Sequence, residues 1–220
     1  MHVPVLLAHW LLGLRSLLEI TDAEPIEAAA IEIHGASFWQ VRDPARPGEP
    51  WREARERDAI RYRVLVEQGV ELTSAEFVAT VDAALGDPGG WAAAGRSFAR
   101  VDERAEITVL LARPSTVDRL CKPLATIGRY SCGRGGRASL NLARWQRGTS
   151  AWTASLVEYR TYMVNHEVGH LLGMPHLDCP ASGEPAPIMQ QQTFGLDGCL
   201  PSAWPSTGEI DRLRRRWGKR

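Results

Sequence analysis

The residues best suited to chemistry lie together near the middle of the second half of the chain. His166, Glu167, His170, Gly173 and His176 form the pattern H-E-x-x-H-x-x-G-x-x-H. Residues four apart share one face of a helix, so His166 and His170 can direct two imidazoles at one ion. Gly173 allows the backbone to leave the helix and bring His176 to the same ion. Three nitrogen ligands leave one position of a tetrahedral zinc open for water, which Glu167 can reach as a base, and this is the arrangement of a catalytic site.

This pattern is too specific to dismiss as coincidence. A bare H-E-x-x-H is short enough to arise by accident, but the extended pattern fixes five positions, and its chance occurrence is on the order of one in a hundred thousand. The remaining histidines, His2, His9 and His34, precede the predicted domain. The sequence therefore predicts a single zinc ion as cofactor, with His166, His170 and His176 as ligands and Glu167 as the catalytic base.

The elements that must position these residues can be read from the spacing of apolar side chains. A helical repeat runs from Ser155 to Gly173 and carries the first two histidines. Upstream, strands are predicted at residues 61–67, 97–101, 106–112 and 138–142, with a helix from Thr73 or Ser74 to Gly86. A last helix is predicted at residues 207–217. Residues 174–205 show almost no periodicity, and so long a loop needs a purpose or a crosslink. The pattern indicates an α+β fold.

The first part of the chain reads differently. Residues 43–57 are rich in proline, glycine and alternating charge, which marks a linker. We therefore expect an N-terminal segment and linker at residues 1–57 and one catalytic domain at residues 58–220. Residues 3–14 are apolar apart from His9, but the usual basic start of a signal peptide is missing. This stretch is either the remnant of an export or anchor segment or a helix that packs on the domain.

The four cysteines lie in the second half of the chain. Four cysteines allow three connectivities, and we favour Cys121–Cys132 and Cys179–Cys199, because each pair closes a short loop that contains glycine and proline. Such bridges persist outside the cytosol, so an exported or cell-surface protein is expected. The alternatives are a second metal site or four reduced core thiols. A structural zinc site usually shows a C-x₂₋₄-C pair, which is absent from this sequence.

The charge composition indicates which classes of molecule the protein is suited to bind. The chain has 26 lysine and arginine residues and 26 aspartate and glutamate residues, so its overall electrostatic field is weak. This composition does not favour nucleic-acid binding. A basic run near the C-terminus, from Arg212 to Arg220, could touch an anionic surface but is more typical of a solvated helix face. We expect a monomer that acts on a peptide or protein substrate, and an association with the cell surface stays open.

The extended motif resembles that of the metzincin clan of zinc peptidases, in which it is followed by a Met-turn beneath the metal. Met189, thirteen residues after His176, is the corresponding methionine. The run from Tyr159 to Pro205 is also similar to an uncharacterised bacterial family of small metzincin-like proteins. In that family a Gln-Gln-Thr segment and a Gly-Leu-Asp-Gly-Cys segment follow the Met-turn, as residues 191–193 and 195–199 do here.

The resemblance implies a fold and an activity. It implies a small, twisted, mixed β-sheet packed on an active-site helix, with a Met-turn and a C-terminal helix. It also implies an endopeptidase in which an edge strand, expected near residues 126–132, pairs with extended substrate. Some metzincins carry a tyrosine two residues after the Met-turn methionine, but Gln191 stands there, so the group that stabilises the oxyanion is unassigned.

Two other functions fit the same residues. The chain could be a catalytically inactive zinc-binding module for interaction, or a zinc amidase that acts on cell-wall peptides. Glu167 favours an enzyme, because a binding module has no need for a general base. The sequence does not separate the two kinds of hydrolase, since the shape of the substrate pocket depends on loops.

Overall fold

A computed structural model of the chain describes residues 30–41, 59–70 and 74–218. Within them, seven strands form one twisted mixed sheet, accompanied by five α-helices and a 3₁₀ turn at Trp91–Ala94. The strands are β1 (Ile31–Ile33), β2 (Ala36–Gln40), β3 (Ile60–Glu67), β4 (Phe98–Arg100), β5 (Ile107–Ala112), β6 (Cys132–Arg134) and β7 (Arg137–Asn141). The helices are α1 (Ser74–Gly86), α2 (Pro114–Leu120), α3 (Leu142–Arg147), α4 (Leu156–Leu171) and α5 (Thr207–Trp217). The predicted α+β class is confirmed.

The strands lie in the order β1-β2-β3-β5-β7-β6, with β4 beside the start of β3. The central strands β3, β5 and β7 are parallel, whereas the hairpin β1–β2 and the edge strand β6 are antiparallel to their neighbours. Parallel strands are usually covered on both faces and rich in aliphatic residues, and every residue of β5 is buried. The sheet therefore needs helices on both sides.

Successive side chains of a strand point to opposite faces, and the two faces support two apolar clusters. The larger cluster joins one face of the sheet to α1, α4 and α5, and includes Val64, Val66, Val109, Leu111 and Leu140. The smaller cluster lies on the other face with α2 and the β1–β2 hairpin, and includes Phe38, Leu65, Leu110, Ala112 and Val117. Helix α4, which carries the motif, thus packs directly on the sheet.

Most predicted elements are confirmed to within a residue or two. Strands β3, β4, β5 and β7 and helices α1, α4 and α5 all occur where the periodicity predicts them. Two short helices were not predicted. Helix α2 begins with Pro114, which is preorganised for a first helical position. Helix α3 begins after Asn141, whose side chain accepts hydrogen bonds from the backbone N–H groups of Ala143 and Arg144.

Two predicted boundaries are corrected by the structure. The domain starts before residue 58, because residues 31–40 form a hairpin whose strand β2 pairs with β3, and Phe38 is fully buried opposite Glu67. The predicted apolar stretch at residues 3–14 and linker at residues 43–57 lie outside the described residues. The edge strand is Cys132–Arg134 rather than residues 126–132, because a turn over residues 127–129 interrupts the chain before it.

Two disulfide bonds, Cys121–Cys132 and Cys179–Cys199, confirm the predicted pairing. The first joins the end of α2 to the start of β6, and the second closes the loop that follows the motif. Their Cα atoms are 6.0 and 5.8 Å apart, which is normal for a disulfide. Such bonds indicate an oxidising environment outside the cytosol. None of the helices in the described ranges has both the length and the apolar character needed to cross a membrane.

Candidate metal centre

Helix α4 begins and ends at defined residues, and this fixes the position of its histidines. At its start, the Ser155 hydroxyl accepts a hydrogen bond from the backbone N–H of Glu158, whose carboxylate accepts one from the N–H of Ser155. This reciprocal pair is a capping box, which satisfies two N–H groups at the helix start. At its end, Gly173 adopts a left-handed conformation with φ of +87°. The chain then reverses and returns His176 toward the helix.

The structure brings the three motif histidines together. One nitrogen from each of His166, His170 and His176 lies within 4.8 Å of the others, so the cluster could hold a metal ion. The Nδ1 atoms of His166 and His170 lie 2.8 and 3.1 Å from the carbonyl oxygens of Ile188 and Met174. A carbonyl oxygen can only accept, so each Nδ1 donates a hydrogen and each Nε2 keeps its lone pair for a metal. The donor set therefore fits a metal ion.

The protonation of the cluster also suits metal binding. Burial lowers the pKa of His166 to about 3, assisted by the neighbouring imidazoles. Burial likewise lowers the pKa of His170 and of His176. All three rings are consequently neutral near pH 7, and only the neutral ring can act as a ligand.

Glu167 lies beside the cluster, at the wall of the same cavity. Its side chain is buried, and burial raises the pKa of its carboxyl group to about 8, while a hydrogen bond from the backbone N–H of Gly133 lowers it. A cation bound nearby would also lower it. Strand β6 approaches very closely here: a Cβ atom on Gly133 would lie 2.0 Å from the backbone carbonyl oxygen of Glu167. Only glycine allows this contact between the edge strand and α4.

Met189 lies behind the cluster, as part of the loop that supports it. The side chain is fully buried, and a Cβ atom on Gly169 would lie 2.4 Å from its sulfur and 2.8 Å from the Trp91 ring. The sulfur therefore packs against the helix between the two turns that carry His166 and His170. The carbonyl of Met189 also accepts a hydrogen bond from the N–H of Leu177, just after the third histidine.

Glu209 supports this loop, and sequence reasoning missed it. Its carboxylate is only 2% exposed and accepts hydrogen bonds from the backbone N–H groups of Ile188 and Met189 at 3.1 and 2.9 Å. The same carboxylate forms a second capping box with Ser206 at the start of α5. Because the Ile188 carbonyl orients His166, Glu209 connects α5 to the metal cluster. The S-x-x-E spacing of Ser206 and Glu209 could have identified the cap, but not the contact with the loop.

A cavity of about 290 Å³ opens beside the cluster and extends along α4. Three sides of it can be described: the helix contributes Tyr159 and Tyr162, the loop after Met189 contributes Gln191, Thr193 and Phe194, and the chain between α2 and α4 contributes Tyr130, Ser131 and Arg144. The Tyr130 and Phe194 rings stack with their centroids 4.1 Å apart and connect the last two sides. None of these residues was predicted as cavity wall, although Tyr130 and Ser131 lie within the predicted substrate-pairing edge at residues 126–132, and Gln191 and Thr193 belong to the Gln-Gln-Thr segment.

Comparison with known proteins finds one family. A family model described as "Protein of unknown function (DUF3152)" matches residues 34–201, which is more than half of the chain. That range includes the hairpin turn at His34, the histidine cluster and the loop after it. No curated protein and no solved structure matches the chain.

Proposed function

The chain belongs to the DUF3152 family, whose function is unknown, and from the geometry of the histidine cluster we propose that the protein is a zinc-dependent endopeptidase of the metzincin type. The observation that carries the proposal is the meeting of three neutral imidazoles with a buried carboxylate at one cavity. Imidazole nitrogens suit zinc, and three of them leave a coordination position open. The closed four-ligand set of a structural zinc site is not what these residues offer.

His166, His170 and His176 would hold the ion, oriented by the carbonyl groups of Ile188 and Met174. A zinc ion in such a site polarises a carbonyl group and lowers the pKa of a coordinated water molecule. Glu167 takes the proton of the attacking water and later delivers it to the leaving amine. Its burial at the cavity wall keeps the proton transfer away from bulk solvent.

Strand β6 would bind the substrate by pairing with an extended peptide. It ends the sheet order on that side, and Gly133 at its centre touches the helix at Glu167. A peptide added to this edge would therefore run past the base. Together with Met189 behind the ligands and α5 at the end of the chain, this supports a metzincin-type arrangement of sheet, helix and Met-turn.

The localisation expected for such an enzyme agrees with the two disulfide bonds, and we propose that it acts outside the cytosol on peptide or protein substrates. A hydrolase for cell-wall peptides would use the same cluster. The buried Glu167 favours either hydrolase over an inactive zinc-binding module, since burying a carboxylate is costly and an interaction module gains nothing from it.

The experiment is to incubate the zinc-loaded protein with a diverse peptide library and with cell-wall peptides, and to locate cleaved bonds by mass spectrometry. Glu167→Ala should keep its zinc and lose activity on the order of 10²–10⁴-fold, because it removes the base and spares the ligands. Glu158→Ala, at the exposed cap of the same helix, is the matched control and should keep most of the activity. Full turnover by Glu167→Ala, or no cleavage of any substrate by the zinc-loaded wild type, would refute the proposal.

A further inference from the structure

One cation lies in the wall of the cavity. Arg144, on α3, donates from Nε to the carbonyl oxygen of Arg129 and from Nη1 to that of Gly148, both at 2.9 Å. These two bonds fix the guanidinium group at the cavity wall. A guanidinium has five N–H donors, so three are left over. Among the described residues, no carboxylate forms a salt bridge with it.

The position of Arg144 relative to the metal cluster follows from α4. Arg144 donates to the carbonyl oxygen of Gly148, and a Cβ atom on Gly148 would lie 3.7 Å from the Tyr159 ring, so the Arg144 side chain lies near Tyr159 in the wall of the cavity. Tyr159 precedes His166 by seven residues on the same helix, or about 10 Å along the axis. An extended peptide advances about 3.3 Å per residue, so a substrate carboxylate within about three residues of the cleaved bond lies in reach of Arg144.

Among the described residues that line the cavity, Arg144 is the only lysine or arginine, and Glu167 carries the only carboxylate. The opposite wall, residues 189–194, has no charged residue. Apart from a bound metal ion, Arg144 is therefore the positive charge that an anionic ligand in this cavity would meet.

From these observations we propose that Arg144 binds a carboxylate group of the substrate close to the cleaved bond, so that the enzyme prefers acidic peptides; this inference rests on the proposed peptidase function. A guanidinium matches a carboxylate with two parallel hydrogen bonds. The carboxylate can belong to an aspartate or glutamate side chain or to the free C-terminus of a short peptide. The apolar Phe194 and Leu124 at the rim of the cavity would contact the neighbouring substrate residues.

The test compares peptides that differ in one charge. Both kinds of pair are derived from the best substrate in the library. In the first kind, the two peptides carry glutamate or glutamine at one position near the cleaved bond, and each such position is tested in turn. In the second kind, the two peptides carry a free or an amidated C-terminus. The wild type should show a kcat/KM about tenfold or more higher for the charged member of one pair. The pair that shows the preference identifies the source of the carboxylate. Equal rates within both pairs would overturn the inference while leaving the peptidase proposal intact.

Variants then separate recognition from a purely structural role. Arg144→Gln should bring the ratio of the two kcat/KM values close to one, because it lowers kcat/KM for the charged peptide and leaves that for the neutral peptide unchanged. Arg147→Gln, an exposed arginine on the same short helix, should leave the preference unchanged. If Arg144 had only a structural role, the substitution would lower kcat/KM equally for both peptides of a pair. An unchanged preference for the charged peptide in Arg144→Gln would contradict the inference. The wild-type comparison needs no variant, so the inference stays refutable even if Arg144→Gln does not fold.

A binding measurement makes the outcome independent of turnover. Zinc-loaded Glu167→Ala leaves the peptides intact, and its Kd for the charged peptide should be about tenfold lower than for the neutral one. This difference should disappear in the Glu167→Ala, Arg144→Gln double variant. Preferential binding without any cleavage by the wild type would refute the peptidase proposal and support the recognition of a carboxylate. Equal or undetectable binding of both peptides would overturn that recognition.

Discussion

Glu209 provides the sharpest test of how the metal cluster is supported. Glu209→Ala leaves the N–H groups of Ile188 and Met189, both in fully buried residues, without an acceptor, at about 1–3 kcal/mol each. It also removes an acidic group from the start of α5, worth about 0.3–1 kcal/mol. The middle of these ranges gives a loss of about 4–5 kcal/mol in the free energy of unfolding. Glu209→Gln keeps one accepting oxygen and should lie between alanine and the wild type.

Glu158 is a matched control for Glu209, because it occupies the same place in the other capping box but is exposed, and its carboxylate bonds only to Ser155 among the described residues. Glu158→Ala should therefore cost only about 0.3–1 kcal/mol. Urea denaturation with intact disulfides measures both values. Because the Ile188 carbonyl orients His166, Glu209→Ala should also weaken zinc binding about 10–100-fold, and Glu158→Ala should not. Equal losses of stability in the two variants would refute the role assigned to Glu209.

Three further predictions concern the cluster and its surroundings. Replacing any of the three cluster histidines with alanine should abolish tight zinc binding, because the described residues offer no other histidine near the site. Metal analysis after dialysis measures the bound zinc, and the control variant His34→Ala should keep one zinc per chain. Met189→Leu should lower the free energy of unfolding by less than about 1.5 kcal/mol, and Met189→Ala should lower it by about 2–5 kcal/mol. Equal melting temperatures of the two variants would mean that the side chain is not packed behind the histidines. Gly133→Ala should lower the free energy of unfolding by about 1–3 kcal/mol and reduce peptide cleavage, because a Cβ atom would lie 2.0 Å from the Glu167 carbonyl oxygen. The control is Gly86→Ala, where a Cβ meets nothing within 4 Å, and similar stability of the two glycine variants would contradict the close approach of β6 to α4.

The parts of the site that were predictable are those in which neighbours in sequence are neighbours in space. His166 and His170 share a helix face by spacing alone, and Gly173 signals the reversal that returns His176. Strand β3 was evident because Tyr62, Val64 and Val66 alternate with other residues, and β5 because it is a short, mostly apolar run that follows a charged turn. The disulfide pairing followed from the shortness of the loops that the bonds close.

The parts that were missed depend on contacts between distant segments. Only Ala36 and Phe38 of the hairpin β1–β2 are buried, and its other residues are half-buried or exposed. Its apolar pattern is therefore weak, and pairing with β3 is what stabilises it. The contact of Glu209 with Ile188 joins residues about twenty positions apart through a carboxylate whose spacing indicates only a helix cap. Arg144 reads as one more solvent-exposed charge until α3 and the loop after Met189 come together around the cavity.

The three histidines of the cluster come from one continuous stretch of eleven residues, His166 to His176. An unfolded chain therefore keeps all three imidazoles within a short loop, and it retains some affinity for the ion. A ligand stabilises a fold only by the difference between its affinities for the folded and unfolded states. Removal of zinc by a chelator should consequently lower the melting temperature by less than the affinity of the folded protein alone would suggest. A small shift on chelation would then reflect the local origin of the ligands, and direct titration of the ion is the better measure of how tightly the folded site binds.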